Sequence, residues 1–396
     1  MVATKRQQQI RTKVLDIIYT KGPISRIDIS HKTGITPATV SEITGQLISE
    51  KLIHEIGEEV TSQTKSGRKK ILLMISDAHS YYIGIELSEK FFSFVLSDNK
   101  GHLIKEKVIA FQSSSEKETW NTNRLMKELN HFIELCREYD PKAIGLALPG
   151  HFHKKSYTIL TNNSFWEQFN LKELVDNSPL PIYFENNVQS MALAERIFAE
   201  CHRDQNFAVL HVGRGMFCSC IYNGELYGKN NVLVGEIGHT ISHPDGELCE
   251  CGKRGCLQTY ASEAWIIKKS QILYQNSDNT YLRQLADTPF DITIETILRA
   301  YALGDEGVIT ILHNAIKYLS IAINNISMMI DTKTMIIHGQ LFDEPQLVAL
   351  LKEHSDRHVT ILATERKLEI DIKPYSTING ALAACGLCVQ KTLLTA

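Results

Sequence analysis

GEIGHTISHPDGELCECGKRGCLQ, residues 235–258, is the stretch from which the chain is best read. His239 stands ten residues before Cys249, and Cys249, Cys251 and Cys256 follow with Cys-x-Cys-x4-Cys spacing. Three thiols and one imidazole are the ligand set of a tetrahedral Cys3His zinc site. Gly246, Gly252 and Gly255 supply the bends that so short a segment needs. Four protein ligands fill the tetrahedron and leave no position for water, so the expected zinc is structural. The alternative is a set of buried or disulfide-bonded cysteines. A zinc hydrolase is the weaker reading, for want of an open metal position.

Outside this segment, composition sets the class. A chain of 396 residues predicts two or three domains, and 43% hydrophobic residues can fill large cores. No run is apolar for long enough to cross a bilayer, and the opening MVATKRQQQIRTKV lacks a signal-peptide core. The expectation is a cytoplasmic protein with no membrane partner. In a reducing compartment, nine cysteines favour metal binding over disulfides. Cys136, Cys201, Cys218 and Cys220 have no ligand spacing and read as small core residues. Cys385 and Cys388 lie three apart on an expected helix, where packing is favoured over redox chemistry.

Charge separates the two ends. Residues 1–75 carry 12 Lys+Arg against 7 Asp+Glu, while the remaining 321 carry 30 against 38, within a whole-chain net of −3. A basic segment ahead of an acidic body suggests a nucleic-acid module joined to something else. Ile10, Val14, Ile17 and Ile18 recur at helical spacing, and Gly22-Pro23 ends that helix. Ser25 caps a second helix with Asp28 as its capping-box partner, and Gly34 supplies the turn. Thr36 caps a third helix that has Pro37 at its first position and Val40, Ile43, Leu47 and Ile48 on its buried side. Two short helices joined by a tight glycine turn predict a helix-turn-helix whose second member enters the major groove. Its DNA face would begin at Thr36, Ala38, Thr39, Ser41 and Glu42. Two strands follow, LIHEIGEEV and KKILLMI, with TSQTKSGRKK between them. This hairpin is a wing whose Lys65, Arg68, Lys69 and Lys70 suit phosphates or a minor groove.

Further along, strands and helices alternate. YYIGIELSEKFFSFVLSDNKGHLIKEKVIAF holds three strand-like runs, and an amphipathic helix is expected from about Trp120 to Glu138. AIGLALPG reads as a buried strand ending in a turn, and PIYFENNVQSMALAERIF as a strand feeding a helix. NFAVLHVGRGMFCSCIYNGELYG reads as a hairpin bent at Gly213 and Gly215. MIIHGQL is a further strand, and Asn379 to Leu394 a helix. Two lobes with a ligand cleft at the strand ends is the natural packing.

GEIGH followed by CxCGxxGCL resembles the ROK family of sugar kinases and transcriptional repressors. AIGLALPG is similar to that family's sugar loop, and FENN stands where the family carries Glu-Asn-Asp. The resemblance covers the whole chain, and the winged helix-turn-helix in front is the layout of the repressor branch. It implies an α/β, two-lobed, actin-like body of ribonuclease H-like, sugar kinase type. The implied domains are the winged helix-turn-helix at 1–75, a first lobe at 76–190, and a second lobe at 191–396. The second lobe carries the zinc site, and the C-terminal helix returns to the first lobe. The resemblance also implies a homodimer or tetramer and a sugar ligand held between the lobes. By the family pattern, Asn186, Glu236 and His239 hold sugar hydroxyls, with Asn187 beside them and Gly150 allowing close approach. His239 can present one ring nitrogen to zinc and the other to the ligand. Gln258 stands where the family often has a sugar-binding Glu.

The departures from the family pattern argue against catalysis. A sugar kinase needs a general base for the hydroxyl proton, and the Asp of that position is Asn187 here. The family's Asp-x-Gly-x-Thr phosphate loop is replaced by Glu86-Leu87-Ser88-Glu89-Lys90, and only Gly213-Arg214-Gly215 survives of the second phosphate turn. The expected protein is a sugar-responsive DNA-binding repressor of carbohydrate-utilisation genes, not an enzyme, with operator DNA and a sugar or sugar derivative as partners. The alternative is an active sugar kinase with an accessory DNA-binding domain.

Overall fold

Two five-stranded sheets with one shared strand plan organise the body. The computed structural model describes residues 4–58, 70–111, 114–161, 163–199, 205–229, 231–357 and 368–395. The first sheet runs, across its width, Ile182–Asn186, Ile144–Leu148, Tyr81–Leu87, Phe91–Asp98 and Leu103–Ala110. The first three strands are parallel and the last two turn back antiparallel. The second sheet runs Glu369–Ile372, Thr334–His338, Phe207–Val212, Met216–Tyr222 and Glu225–Leu226, with the same sequence of directions. This repeated plan is the ribonuclease H-like architecture of an actin-like body. The sheets belong to separate units. Unit 1 is Met1–Arg203 with Thr377–Ala396, and unit 2 is Asp204–Ser376. The expected lobe boundary at 190/191 falls inside the helix Asn187–Phe198, which packs in unit 1 against the C-terminal helix.

Burial follows the position of each strand. Phe91–Asp98 is buried at every residue because its sheet is covered on both faces. The neighbouring edge strand Leu103–Ala110 alternates, with one side in water. The C-terminal helix Asn379–Thr392 covers one face of the sheet at unusually short range. A Cβ at Gly84 would overlap the Ala381 carbonyl oxygen, and one at Gly145 would overlap that of Ala384. Cys385 and Cys388 are buried in this contact, their Sγ atoms 3.4 and 4.0 Å from the carbonyl oxygens of Tyr82 and Ile83. Cys136, Cys218 and Cys220 are buried as well. Cys201 lies outside the described residues.

The head forms where local chemistry dictates it. The helix Lys5–Lys21 ends at Gly22. Ser25 caps Arg26–Thr33, its hydroxyl accepting from the Asp28 N–H, and Gly34 ends that helix at φ 71°. Thr36 caps Pro37–Ser49. Ile53–Glu58 and Ile71–Ile75 pair antiparallel, and Ile24–Ser25 joins them as a third strand. This is a winged helix-turn-helix, and residues 59–69, which include most of the expected hairpin, lie outside the described residues. In the body, the helix expected from Trp120 to Glu138 is Thr122–Leu135, capped by Asn121 and followed by a single 3-10 turn, Arg137–Tyr139. Unit 2 also contains Glu263–Asn276, Ile294–Ala302 and Glu306–Met329, helices that the sequence reading leaves unassigned. Among the described residues, no helix is long and apolar enough to cross a membrane.

Adding one methyl group at the helix–sheet contact tests its closeness. Gly145→Ala should cost about 2–3 kcal/mol in urea unfolding. Gly215→Ala, where a Cβ meets nothing within 4 Å, should stay within about 0.5 kcal/mol of the wild type. Equal midpoints for the two variants would show that the helix can retreat freely.

Candidate functional site

The four expected metal ligands converge. The ligand atoms of His239, Cys249, Cys251 and Cys256 all lie within 4.8 Å of one another. Cys251 Sγ and Cys256 Sγ are 3.6 Å apart, and Cys249 Sγ is 3.7 Å from His239 Nδ1. With metal–sulfur bonds of about 2.3 Å, the edges of a tetrahedron are about 3.8 Å, so the donor set fits a tetrahedral ion. The chain reaches this geometry through tight turns. Cys249 N donates to Lys253 O at 2.8 Å, and Gly252 N donates back to Cys249 O at 2.9 Å. Gly252 and Gly255 have φ of +85° and +69°, and a Cβ on Gly255 would overlap the His243 carbonyl. Burial, then the neighbouring thiols Cys251 and Cys249, pushes the Cys256 thiol up to about 12. A bound cation is what such a thiol needs in order to ionise.

Two other residues from the expected sugar set lie beside this cluster. Gln258 is buried, and its Nε2 donates to Cys249 Sγ at 3.3 Å and to Glu250 Oε1 at 3.0 Å. Both of its N–H groups therefore serve the knuckle. Glu236 is half-buried at the N-cap of the short turn Ile237–His239, and His239 is half-buried at its end.

In unit 1, Gly150, Asn186 and Asn187 come together. Asn186 is buried and caps the helix Asn187–Phe198, its Oδ1 accepting from Val188 N at 2.9 Å and Gln189 N at 3.2 Å. Its Nδ2 donates to Gly150 O at 3.3 Å, which leaves one N–H of the amide. Asn187 Oδ1 also accepts from Val188 N, at 2.9 Å, and its side chain hydrogen-bonds the Glu86 carboxylate. A Cβ on Gly150 would overlap Leu160 O, so this glycine admits the strand Thr158–Leu160. Glu86 is the feature that sequence reasoning undervalued. It is buried against the first turn of the C-terminal helix, where the Gly380 N–H donates to it and where a Cβ on Gly380 would strike its carboxylate. Burial raises its pKa to about 7, against the lowering effect of those two hydrogen bonds.

The residues expected to face nucleic acid lie on the third helix and at its N-cap. Thr36, Ala38, Ser41 and Glu42 are exposed and Thr39 is half-buried. Thr36 and Thr39 hydroxyls are 2.9 Å apart and bonded to each other. Gln46, missed in the sequence reading, is exposed one turn beyond Glu42. Its spacing of four was the available signal, and an amide can read adenine in the major groove. Lys70 Nζ lies 2.9 Å from Asp28 Oδ1, joining the wing base to the second helix. Lys65, Arg68 and Lys69 lie outside the described residues.

Comparison with known proteins supplies the wider setting. The ROK family model matches residues 82–391, and a winged helix-turn-helix DNA-binding model matches 7–54. The xylose repressor of Bacillus spizizenii is 27% identical, covering 85% of this chain and 83% of its own. The DNA-binding transcriptional dual regulator NagC of Escherichia coli K12 is 28% identical, covering 85% and 81%. A crystal structure of a ROK family transcriptional regulator, a homologue of the E. coli MLC protein, superposes with TM-score 0.76 at 23% identity over 98% of each chain. A ROK family glucokinase from Streptomyces griseus, in complex with glucose and AMPPNP, gives TM-score 0.66 at 19% identity. It covers 78% of this chain and 99% of its own.

Glu86 makes stability depend on pH in a defined direction. Its folded value lies above the ordinary 4.5, so its contribution is full below pH 4.5 and is lost as pH rises towards about 7. The loss amounts to roughly 3 kcal/mol. Glu86→Gln should abolish that part of the slope when urea unfolding is compared at pH 5 and pH 8. Parallel pH profiles for variant and wild type would contradict this account.

Proposed function

The chain belongs to the ROK family, and on that premise we propose that it is a sugar-responsive, DNA-binding transcriptional repressor of carbohydrate-utilisation genes that has lost kinase activity. The observation that carries the reading is the joining of a capped, exposed recognition helix to a ROK body in which Asn187 replaces the base. An amide has no useful basicity, and this one is already engaged by Val188 N and Glu86. Relatives named xylose repressor and N-acetylglucosamine repressor, and the winged helix-turn-helix model matched by residues 7–54 of this chain, support the same reading.

The recognition helix would present Ala38, Ser41, Glu42 and Gln46 to base edges, with Thr36 and Thr39 at its capped start. Arg68, Lys69 and Lys70 would serve the phosphates from the wing. A homodimer or tetramer would present two such heads to a pseudo-palindromic operator. We assign ligand contact to Asn186, through its remaining N–H, and to Glu236 and His239, with Asn187, Gly150 and Gln258 shaping their surroundings. Zinc is the cation that the Cys3His set fits best, held by His239, Cys249, Cys251 and Cys256. When bound, it supplies structure alone: it fixes the fold of 239–258 and the orientation of the His239 ring. The setting is the cytoplasm, where the thiols stay reduced.

Two measurements test this. Fluorescence anisotropy with DNA from upstream of the chain's own gene should show tight, salt-dependent binding, weakened about 5- to 150-fold by one sugar of a panel. A coupled assay for ADP release over hexoses should stay at background; turnover would establish the kinase instead. For the metal, elemental analysis should find one zinc per chain, lost in Cys251→Ser. That loss should lower the melting temperature by several degrees and weaken sugar binding with it. A zinc-free wild type of unchanged stability would refute the structural site.

A further inference from the structure

The apolar core of the DNA-binding head, which includes Ile29, Val40 and Leu47, runs on into the body. Val14, Leu15 and Ile18 of its first helix and Ile75 of its last strand belong to one apolar cluster with Tyr82, Ile197, Cys385 and Val389 of the body. Two polar clamps flank this cluster. Arg196 Nη2 donates to both carboxylate oxygens of Asp16, at 2.7 Å each, and the Arg196 side chain is 11% exposed. Tyr19 Oη donates to Asn99 O at 3.2 Å, while Asn99 Nδ2 donates to Tyr19 Oη at 3.3 Å and to Ser76 O at 3.0 Å. The Asn99 Oδ1 also accepts from His79 N at 2.9 Å, so the connector between head and body is fastened. Phe198 packs on the same turn, in space that a Cβ on Gly101 would need.

Arg196, Ile197 and Phe198 are the last turn of the helix Asn187–Phe198. Its first turn is capped by Asn186 and adjoins Gly150 and Glu86. Nine residues of helix separate Asn187 from Arg196, about 14 Å. A hydroxyl that accepts from the remaining Asn186 N–H pulls on the residue that caps a rod whose far end is clamped to the head. Packed helices shift as units because close-packed interiors do not deform continuously.

We propose that the helix Asn187–Phe198 is the rod that couples ligand at the Asn186–Asn187 junction to the placing of the recognition helix, with Asp16 and Arg196 as its positioning pair. This rests on the repressor reading above. It means that the head moves with this helix and does not swing on a loose tether.

Coupling is reciprocal, so DNA alone can test it. Hydrogen exchange of amides 188–193 is measured on the full chain, with and without DNA from upstream of its gene, in wild type, Arg196→Ala, Arg196→Lys and Asp16→Asn. DNA should slow exchange in the wild type by about 2- to 30-fold. The slowing should vanish in Arg196→Ala and return in part in Arg196→Lys, with melting temperatures recorded to show that each variant is folded. D-xylose and N-acetyl-D-glucosamine, the probes suggested by the relatives, are then titrated by calorimetry and anisotropy. Where one of them binds, Arg196→Ala should keep its affinity within about twofold while losing its effect on DNA binding. DNA that binds the wild type without altering exchange at 188–193 overturns the proposal. So does equal slowing in wild type and Arg196→Ala. A wild type that binds no DNA removes the repressor reading itself, and the coupling with it.

Discussion

The close approach of the C-terminal helix to the first sheet is the constraint on which the rest of unit 1 depends. Gly84 and Gly145 leave room for the Ala381 and Ala384 carbonyls, and no side chain fits at either position. Because Asn379–Thr392 must lie there, the last twenty residues close a unit that begins at the other end of the chain. The same helix brings the Gly380 N–H to Glu86. A helix N-terminus is where a buried carboxylate is best tolerated, and the neighbouring Asn187 amide adds a second donor. Farther along, Cys385, Cys388, Val389 and Leu394 supply part of the cluster into which the head packs. One close contact thus fixes the sheet, the setting of Glu86 and the seat of the DNA-binding domain.

The residues that the family resemblance singles out are largely engaged in local hydrogen bonds. Asn186 and Asn187 spend their carbonyl oxygens on the first turn of the helix that follows. Glu86 takes donors from Asn187 and Gly380. Gln258 gives both N–H groups to the cysteine knuckle. In each case a polar group completes a local hydrogen-bond set. Buried polar atoms without partners are costly, so such sets resist rearrangement. This agrees with the proposed repressor, whose site would hold a ligand without moving a proton.

What the sequence made legible was local chemistry. Ser25, Gly34, Thr36 and Pro37 each act within four residues of themselves, and the helices of the head start and stop where they say. The knuckle was legible for the same reason, its ligands lying within eighteen residues. Strands buried on both faces, such as Phe91–Asp98 and Ile144–Leu148, were visible as continuous apolar runs. Features that depend on distant partners were not. Nothing near Gly84 or Gly145 announces a helix from residues 379–392. Nothing near Lys70 announces Asp28, nor does Gln258 show by itself that Cys249 will take its N–H. The long helix Glu306–Met329 was obscured by isoleucines and asparagines that lower helix propensity. Its buried row, Val308, Leu312, Ala315, Leu319 and Ile323, is plain once tertiary packing is seen.

A shared core between head and body changes what a ligand has to do. On a flexible linker, a head would average over many orientations, and a ligand bound to the body would gain nothing by favouring one of them. Operator affinity can change only through states that the ligand distinguishes. Here the first helix of the head shares its buried surface with Ile197 and Val389 and is tied by Asp16 to Arg196. On the coupling proposed above, its orientation follows the position of the helix Asn187–Phe198. A ligand that prefers one position of that helix by a few kcal/mol has, through the same contacts, chosen the placing of the recognition helix. On the proposed reading, the specificity of the response lies at Asn186, where the remaining amide N–H would meet the ligand, and its force lies in the packing that joins the head to the helix Asn187–Phe198.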